Sequence, residues 1–324
     1  MKKIAISLGD PNGIGIEIAL KAHNEIKQFC EPLYFINKAL LQRAAKLLGS
    51  RIPDDFITCE CGKDFELKPS KLSKKAGKFS FVSFANAFLN VKKHKADALV
   101  TLPINKQAWT KAGIKYHGHT EALSDFCKRD AIMMLGCEEL FVGLFTDHQP
   151  LKSVSKSVKK KALARFLLSF AKASGFDKIG VLGLNPHAGD GGILGHEDEK
   201  IAKAIKIANK ALGARVFSGP LVPDVAFNPL ALKRTNRLVA MYHDQALAPL
   251  KALYFDSAIN VSLALPIIRT SPDHGTAFDI AYKGLANITS YINAVKYAAI
   301  QANNKNDLSK KGGNFECRLF KGKR

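Results

Sequence analysis

No apolar run in this sequence reaches the roughly 18 residues that a membrane helix needs. The N-terminal run Lys3–Leu8 is broken at Gly9-Asp10, short of the about 7–15 apolar residues of a secretory signal. Both absences point to a cytoplasmic protein with no membrane partner. Six cysteines, at 30, 59, 61, 127, 137 and 317, are scattered, and only Cys59-Glu60-Cys61 forms a close pair. Without a second pair there is no zinc framework, and the thiols read as free in a reducing compartment. No G-x-G-x-x-G, no H-E-x-x-H, no internal repeat and no low-complexity linker occurs, so neither a Rossmann fingerprint nor a local metalloprotease motif is available.

What is there begins with charge. Lysine and arginine total 49 against 28 acidic residues, a formal net charge of +21. Such a balance raises nucleic-acid binding as a function class. The lysines, however, are spread along the whole chain, densest at Lys159-Lys160-Lys161 and in the tail, with little aromatic interleaving. Attraction of anionic metabolites explains the charge more simply, and no nucleic-acid partner is expected. At 324 residues and 47% hydrophobic content, the chain fits two lobes or one large α/β unit.

Taken in order, Lys3–Leu8 reads as a buried strand, Gly9–Gly15 as a tight loop and 17–26 as a helix. A strand at 33–36 and a helix at 38–48 follow; 50–75 is lysine-rich without a clear period. Helix 77–93, strand 97–101 and a helix opening at His117-Gly118-His119-Thr120-Glu121 come next, with Thr120 as N-cap. Strands are expected at 131–135, 140–146, 178–184 and 237–242, and helices at 157–173, 197–212, 245–252, 276–285 and 289–303. The lysine-rich tail from 304 reads as frayed. Alternating strands and helices favour a mostly parallel sheet covered on both faces. Adjacent strands in the middle third imply some antiparallel pairing.

The polar groups concentrate at 241–287. Three histidines, His148, His187 and His243, each follow a short apolar run, where α/β sheets place ligands. Singly, each is explained as well by capping or packing. Together they favour one divalent metal with open positions for substrate, although spacing alone does not show convergence. His119 and Thr120, at a helix start, suit an anion; a capping motif accounts for them equally well. Lys251, Asn260 and Arg269 offer a point charge, an amide and a bidentate fork for carboxylate or phosphate. Arg269 follows Leu-Ala-Leu-Pro-Ile-Ile, which places it at the end of a buried run rather than on the surface. Asp224 and Asp244 are the candidate catalytic carboxylates, to orient a ligand imidazole or move a proton; a cap on the helix beginning near 245 accounts for Asp244 as well.

At these residues the sequence resembles the 4-hydroxythreonine-4-phosphate dehydrogenase family of pyridoxal phosphate biosynthesis. The matching motifs are Gly9–Glu17, Leu102–Lys106, Gly118–Glu121, Asn185–Gly189, Met241–Gln245 and Arg269–Ala277, in order along nearly the whole chain. The resemblance implies a two-lobed α/β/α sandwich of the isopropylmalate/isocitrate dehydrogenase type, with a mixed, mostly parallel sheet and a crevice between lobes. It places 1–130 and 275–324 in a discontinuous cofactor-side lobe and 131–274 in a metal, substrate and dimer lobe. It implies that His148, His187 and His243 bind the metal (Zn, Mg or Co), one of them supplied by the partner subunit of a homodimer whose active site lies at the interface. It implies that His119, Thr120, Lys251, Asn260 and Arg269 contact the substrate. His274, Gly275, Thr276, Asp279 and Asn287 look like the adenosine-binding loop of the related dehydrogenases; the acidic group favours NAD, with NADP possible. The implied reaction is NAD- and metal-dependent oxidation of 4-phosphooxy-threonine, then decarboxylation to 3-amino-2-oxopropyl phosphate. A sister enzyme acting on 4-phospho-threonate or 4-phospho-erythronate is the alternative; a basic nucleic-acid-binding protein is a distant one. The chain departs from common family forms at Asn12, where a small residue is usual, and at Ala246, where glycine is frequent.

Overall fold

The computed structural model describes residues 1–310. In chain order the elements begin with β1 (Lys2–Ser7), α1 (Gly15–Ile26), β2 (Cys30–Phe35), α2 (Lys38–Leu48), β3 (Thr58–Cys59), α3 (Lys74–Lys92), β4 (Ala98–Thr101), α4 (Lys106–Lys111) and α5 (His119–Cys127). There follow β5 (Ile132–Cys137), β6 (Leu140–Leu144), α6 (Leu151–Ser157), α7 (Lys160–Ser174), β7 (Ile179–Leu182), a 3-10 stretch (Pro186–Gly192), α8 (Glu197–Leu212), β8 (Phe217–Leu221) and α9 (Pro229–Arg234). The last are β9 (Arg237–Ala240), α10 (His243–Tyr254), β10 (Ile259–Leu263), β11 (Arg269–Pro272) and α11 (Thr289–Lys310). No described helix is long and apolar enough to cross a membrane. The five described cysteines are all free thiols.

Two compact units result. The first joins Met1–Ala131 to Asp256–Lys310. Its strands run β3-β2-β1-β4-β11-β10, parallel throughout except that β10 is antiparallel to β11. β1 is central and buried on both faces, as its near-continuous apolar run requires. Ile4 and Ile6 are fully covered, each such burial stabilising by about 1.5–3 kcal/mol. The core beside it is aromatic, with Phe35, Phe84, Trp109 and Tyr116 in one cluster. The sequence places residues up to 274 in the other lobe. In the structure the second segment of this unit starts at Asp256, because β11 pairs with β4 and β10 with β11.

The second unit is Ile132–Phe255. Its strands run β5-β6-β9-β7-β8. The β5–β6 hairpin is antiparallel, the pairing expected of the middle third, and the other pairs are parallel. Helix α7 closes on β6 so tightly that a Cβ on Gly143 would stand 2.4 Å from the Phe170 ring. Both units are therefore mixed, mostly parallel α/β sheets flanked by helices, as expected.

Several local expectations fail, each for a physical reason. The helix expected at 276–285 does not form: Ala277 and Tyr282 adopt left-handed φ of 43° and 62°, and Gly284 follows at 73°. Tertiary bonds hold this loop instead, from Ile14 N–H to the Thr276 carbonyl (3.1 Å) and from the Tyr282 hydroxyl to the Pro11 carbonyl (2.6 Å). The helix expected at 157–173 forms as α7, starting three residues later, and the short α6 before it, which the sequence did not announce, ends at Val158 with ψ 81°. Thr120 is not an N-cap, since Gly118 holds that position. Helix α11 continues past 304 to Lys310, and the rest of the tail lies outside the described residues.

Candidate active site

In the first unit a polar cluster is built into the sheet itself. Arg269 opens β11, directly opposite Ser262 on β10, and is only 4% exposed. Its Nε and Nη2 donate to Thr101 Oγ1 at 3.2 and 2.6 Å, and Nη1 donates to Ser262 Oγ at 3.0 Å. Thr101 and Ser262 thus fix the plane of the fork by two hydroxyls. Among the described residues no carboxylate lies within salt-bridge distance of it, and burial lowers its pKa to about 10. A buried cation without a counter-charge is costly, and a bound anion is the ordinary remedy.

His119 lies within the field of this guanidinium. Its ring is wedged against Phe84 (4.9 Å between centroids) and meets Trp109 edge-on (5.4 Å), while Trp109 Nε1–H is anchored on Ser80 Oγ at 2.8 Å. Burial first, and the Arg269 charge second, hold the imidazole well below its ordinary pKa, so it is neutral at neutral pH. Its Nε2 is shut off from solvent with no hydrogen-bond partner, and so is Asn260 Oδ1 on β10. Asn260 and Ser262 share one face of that strand, by the two-residue period. Thr120 follows His119 in the first turn of α5, and Glu121 accepts the His117 N–H at 2.7 Å. Arg269, His119 and Asn260 therefore form a group with unmet hydrogen-bonding capacity, which α5 and the two strands present together.

The second unit presents its polar groups differently. His148, after β6, and His243, in the first turn of α10, place their rings 5.6 Å apart. His148 has a side chain 66% exposed. His243 Nδ1 lies 2.6 Å from Asp244 Oδ1, a partner that favours the proton on Nδ1 of a neutral ring and leaves the Nε2 lone pair for a ligand. Asp244 is exposed at 83% and lies in the first helical turn, with Tyr242 as N-cap, so it does not cap the helix.

His187 stands apart, exposed in the 3-10 stretch after β7, where His187, Ala188 and Asp190 all adopt left-handed backbone. This costly conformation is held by Asp198, which accepts from Leu184 N (2.8 Å), Asn185 N (3.2 Å) and Asn185 Nδ2 (2.8 Å). Buried Gln245 accepts Met241 N–H and donates to the Gly183 carbonyl, both at 2.7 Å, tying the His243 and His187 segments to one another. His187 and Asp224 line a cavity of about 410 Å³ with Asn185, Tyr242 and Gln245. Among the described residues, no three His, Cys, Asp or Glu side chains come together as a metal cage. One chain thus supplies a neighbouring imidazole pair and a third imidazole elsewhere. Lys251, in the last turn of α10, lies 6.0 Å from the Phe255 ring centroid.

The expected cofactor residues share one loop of the first unit. Asn287 Oδ1 accepts Thr289 N–H at 2.8 Å and so serves the start of α11. Thr276 gives its carbonyl to Ile14, Asp279 is exposed, His274 Nδ1 sits 3.1 Å from the Gly275 carbonyl, and a Cβ on Gly275 would meet nothing within 4 Å. Thr101, Ser262, Phe84, Asp198 and Gln245 escaped sequence reasoning. A hydroxyl closing the buried run Ala98–Thr101 was the one signal available for Thr101.

Comparisons with known proteins cover most of the chain. A family model described as "Pyridoxal phosphate biosynthetic protein PdxA" matches residues 28–298. The chain is 62% identical over 299 residues to a 4-hydroxythreonine-4-phosphate dehydrogenase of Campylobacter fetus, covering 92% of this chain and 97% of that one. It is 55% identical to the enzyme of the same name from Sulfurimonas denitrificans, over 91% of this chain and 96% of the relative. A crystal structure of the Klebsiella pneumoniae 4-hydroxythreonine-4-phosphate dehydrogenase superposes with a TM-score of 0.78 at 30% identity, covering 93% and 98% of the two chains.

Proposed function

The chain belongs to the pyridoxal phosphate biosynthetic protein PdxA family, and from that premise we propose that it oxidises 4-hydroxythreonine 4-phosphate, with decarboxylation to 3-amino-2-oxopropyl phosphate. The observation that carries the reading is the buried Arg269 fork, held by Thr101 and Ser262 with no carboxylate partner among the described residues. It fits the carboxylate or phosphate of such a substrate. His119, neutral and with a free Nε2, and Asn260, with a free Oδ1, take hydroxyl or amino groups rather than a second anion. Thr120 and Lys251 complete the substrate set.

When bound, a nicotinamide cofactor would supply the hydride acceptor, and a divalent cation (Zn, Mg or Co) would polarise the oxygen on the carbon being oxidised. Residues His274, Gly275, Thr276, Asp279 and Asn287 are the proposed cofactor segment, and its exposed carboxylate favours NAD over NADP. The donor chemistry at His148 and His243 fits the cation, with Asp244 setting the His243 tautomer. His187 joins them from a second copy of the chain. Two copies are therefore required, and exposed Leu151, Ile193, Val225 and Leu230, all of the second unit, offer the apolar surface for a homodimer. Asp224 and Asp244 are the carboxylates available to move the hydroxyl proton to solvent. No nucleic-acid or membrane partner is invoked, and the cytoplasm is the compartment such a biosynthetic enzyme uses.

The test is NADH formation from 4-phosphooxy-threonine, followed with and without a chelator. Turnover that chelator abolishes and added divalent metal restores is the expected result. Turnover of 4-phospho-threonate or 4-phospho-erythronate alone would assign the chain to the sister reaction.

A further inference from the structure

Asn12 is 0% exposed, although it lies in a loop beside the lysine-rich 50–75 segment, which carries no motif. A buried asparagine needs partners for both ends of its amide, and here both come from that segment. Asn12 Oδ1 accepts the Lys68 N–H at 3.0 Å, and Nδ2 donates to the Lys71 carbonyl at 2.8 Å. The Asn12 carbonyl accepts the Ser70 N–H at 2.9 Å. Its own N–H donates to Asp10 Oδ1 at 2.9 Å, which sets the loop that carries it. One residue therefore binds a whole turn, closed by Lys71 N–H on the Lys68 carbonyl (3.0 Å) around Pro69 and Ser70.

That turn is strained. Ser70 adopts φ 64°, where a residue with a Cβ is disfavoured. The conformation aims the Ser70 hydroxyl at the Phe278 carbonyl, to which it donates. The Gly9–Gly15 loop reaches the same segment through Ile14 N–H on Thr276 O (3.1 Å) and the Tyr282 hydroxyl on Pro11 O (2.6 Å). The contact at Gly13 is close, since a Cβ there would stand 2.7 Å from the Thr276 carbonyl. Segment 276–282 has left-handed φ at Ala277 and Tyr282 and no helix of its own to hold it. Two turn bonds of its own, Ile280 N–H on Ala277 O and Lys283 N–H on Ile280 O (both 3.1 Å), shape it locally, and the outside bonds place it.

We propose that Asn12 is a positioning residue that clasps the 68–71 turn to the Gly9–Gly15 loop, so that the two together hold segment 274–287 in the form that takes the nicotinamide cofactor. The cofactor half of this proposal rests on the functional reading above; the clasp half does not. Asn12 acts on the cofactor segment through its hydrogen-bond partner Ser70 and its chain neighbour Pro11. The energetic logic is preorganisation: order already present in the free protein is not charged against binding.

The experiment is hydrogen exchange on the full chain without cofactor, for the native protein, Asn12→Ala and Ser70→Ala, beside NADH affinity measured by fluorescence. Asn12→Ala strands a donor and an acceptor of the turn, whereas Ser70→Ala removes only the bond to Phe278 and so guards against simple misfolding. Faster exchange across 276–284 is expected in both, larger for Asn12→Ala. Strands β6 and β9 of the second unit should exchange as in the native protein. NADH affinity should fall about tenfold in Asn12→Ala, the loss of roughly one net hydrogen bond's worth of order. Unchanged exchange across 276–284 in both variants overturns the clasp. Faster exchange with native NADH affinity leaves the clasp standing and overturns the assignment of this segment to the cofactor.

Discussion

The two units carry their polar chemistry in opposite ways. In the first, Arg269 and His119 are enclosed, and their neighbours Thr101, Ser262, Phe84 and Trp109 fix them in place. In the second, His148 and His187 stand in solvent, and His243 is steadied by a single exposed carboxylate. An enclosed group is finished before its ligand arrives, and the desolvation has been met by folding. An exposed imidazole set is unfinished, and something further must desolvate and align it. Under the proposed function, the first unit would recognise with what one chain holds, and the second would be completed by a metal and a second chain.

The sharpest way to break this comparison is complementation. His187→Ala and His243→Ala chains should each be inactive alone. If the imidazole set is shared across a two-fold axis, mixing them at equal amounts creates dimers with one intact site, restoring about a quarter of native turnover. The result does not depend on which of the two imidazoles crosses the interface. Measured after co-refolding, no recovery would mean that one chain supplies both His187 and His243 to each site, and would overturn the sharing of these two. Folding should be little affected, because neither substitution opens a core.

Next in size is Arg269→Met. A buried guanidinium without a carboxylate opposes folding, so removing it should leave the melting temperature unchanged or higher. The same change should cost about 2–5 kcal/mol in kcat/KM, as for a lost buried charge contact. Stability and function thus move apart, the signature of a residue kept for its ligand. If melting temperature and kcat/KM fell together, Arg269 would be structural and the enclosed cluster would lose its role as a prepared anion site. In the second unit, by contrast, substituting His148 should leave stability flat.

How much of this was legible follows the same division. Helix α2 is read to the residue, because Asn37 accepts Leu40 N–H at its start and Gly49, at φ 61°, ends it. Local signals of that kind survive folding. Arg269 is read as buried from the apolar run before it, yet residues 264–268 are partly or fully exposed. It is buried because β11 lies between β4 and β10, which only strand pairing decides. The helix expected at 276–285 fails because tertiary bonds to Ile14 and Pro11 outweigh propensity. The post-strand histidines are visible as a pattern, but the placing of His187 apart from the other two follows from seven residues of 3-10 and left-handed backbone that no period announces.

The smallest effect tests the one ordered feature of the exposed set. Asp244 follows His243 and accepts its Nδ1–H at 2.6 Å. A carboxylate behind a ligand imidazole raises its basicity and fixes its plane, and losing such a partner lowers metal affinity about 10- to 100-fold. Asp244→Asn keeps an acceptor of the same shape and removes only the charge. At 83% exposure the side chain contributes little to the fold, so melting should not change. The expected outcome is weaker metal binding by competition with a chelator, with turnover restored when metal is added to saturation. Turnover that stays low at full occupancy would instead assign Asp244 to moving the hydroxyl proton. Native affinity and native turnover together would leave the carboxylate with only its favourable place in the first turn of α10, and the exposed set would then lack any prepared element at all.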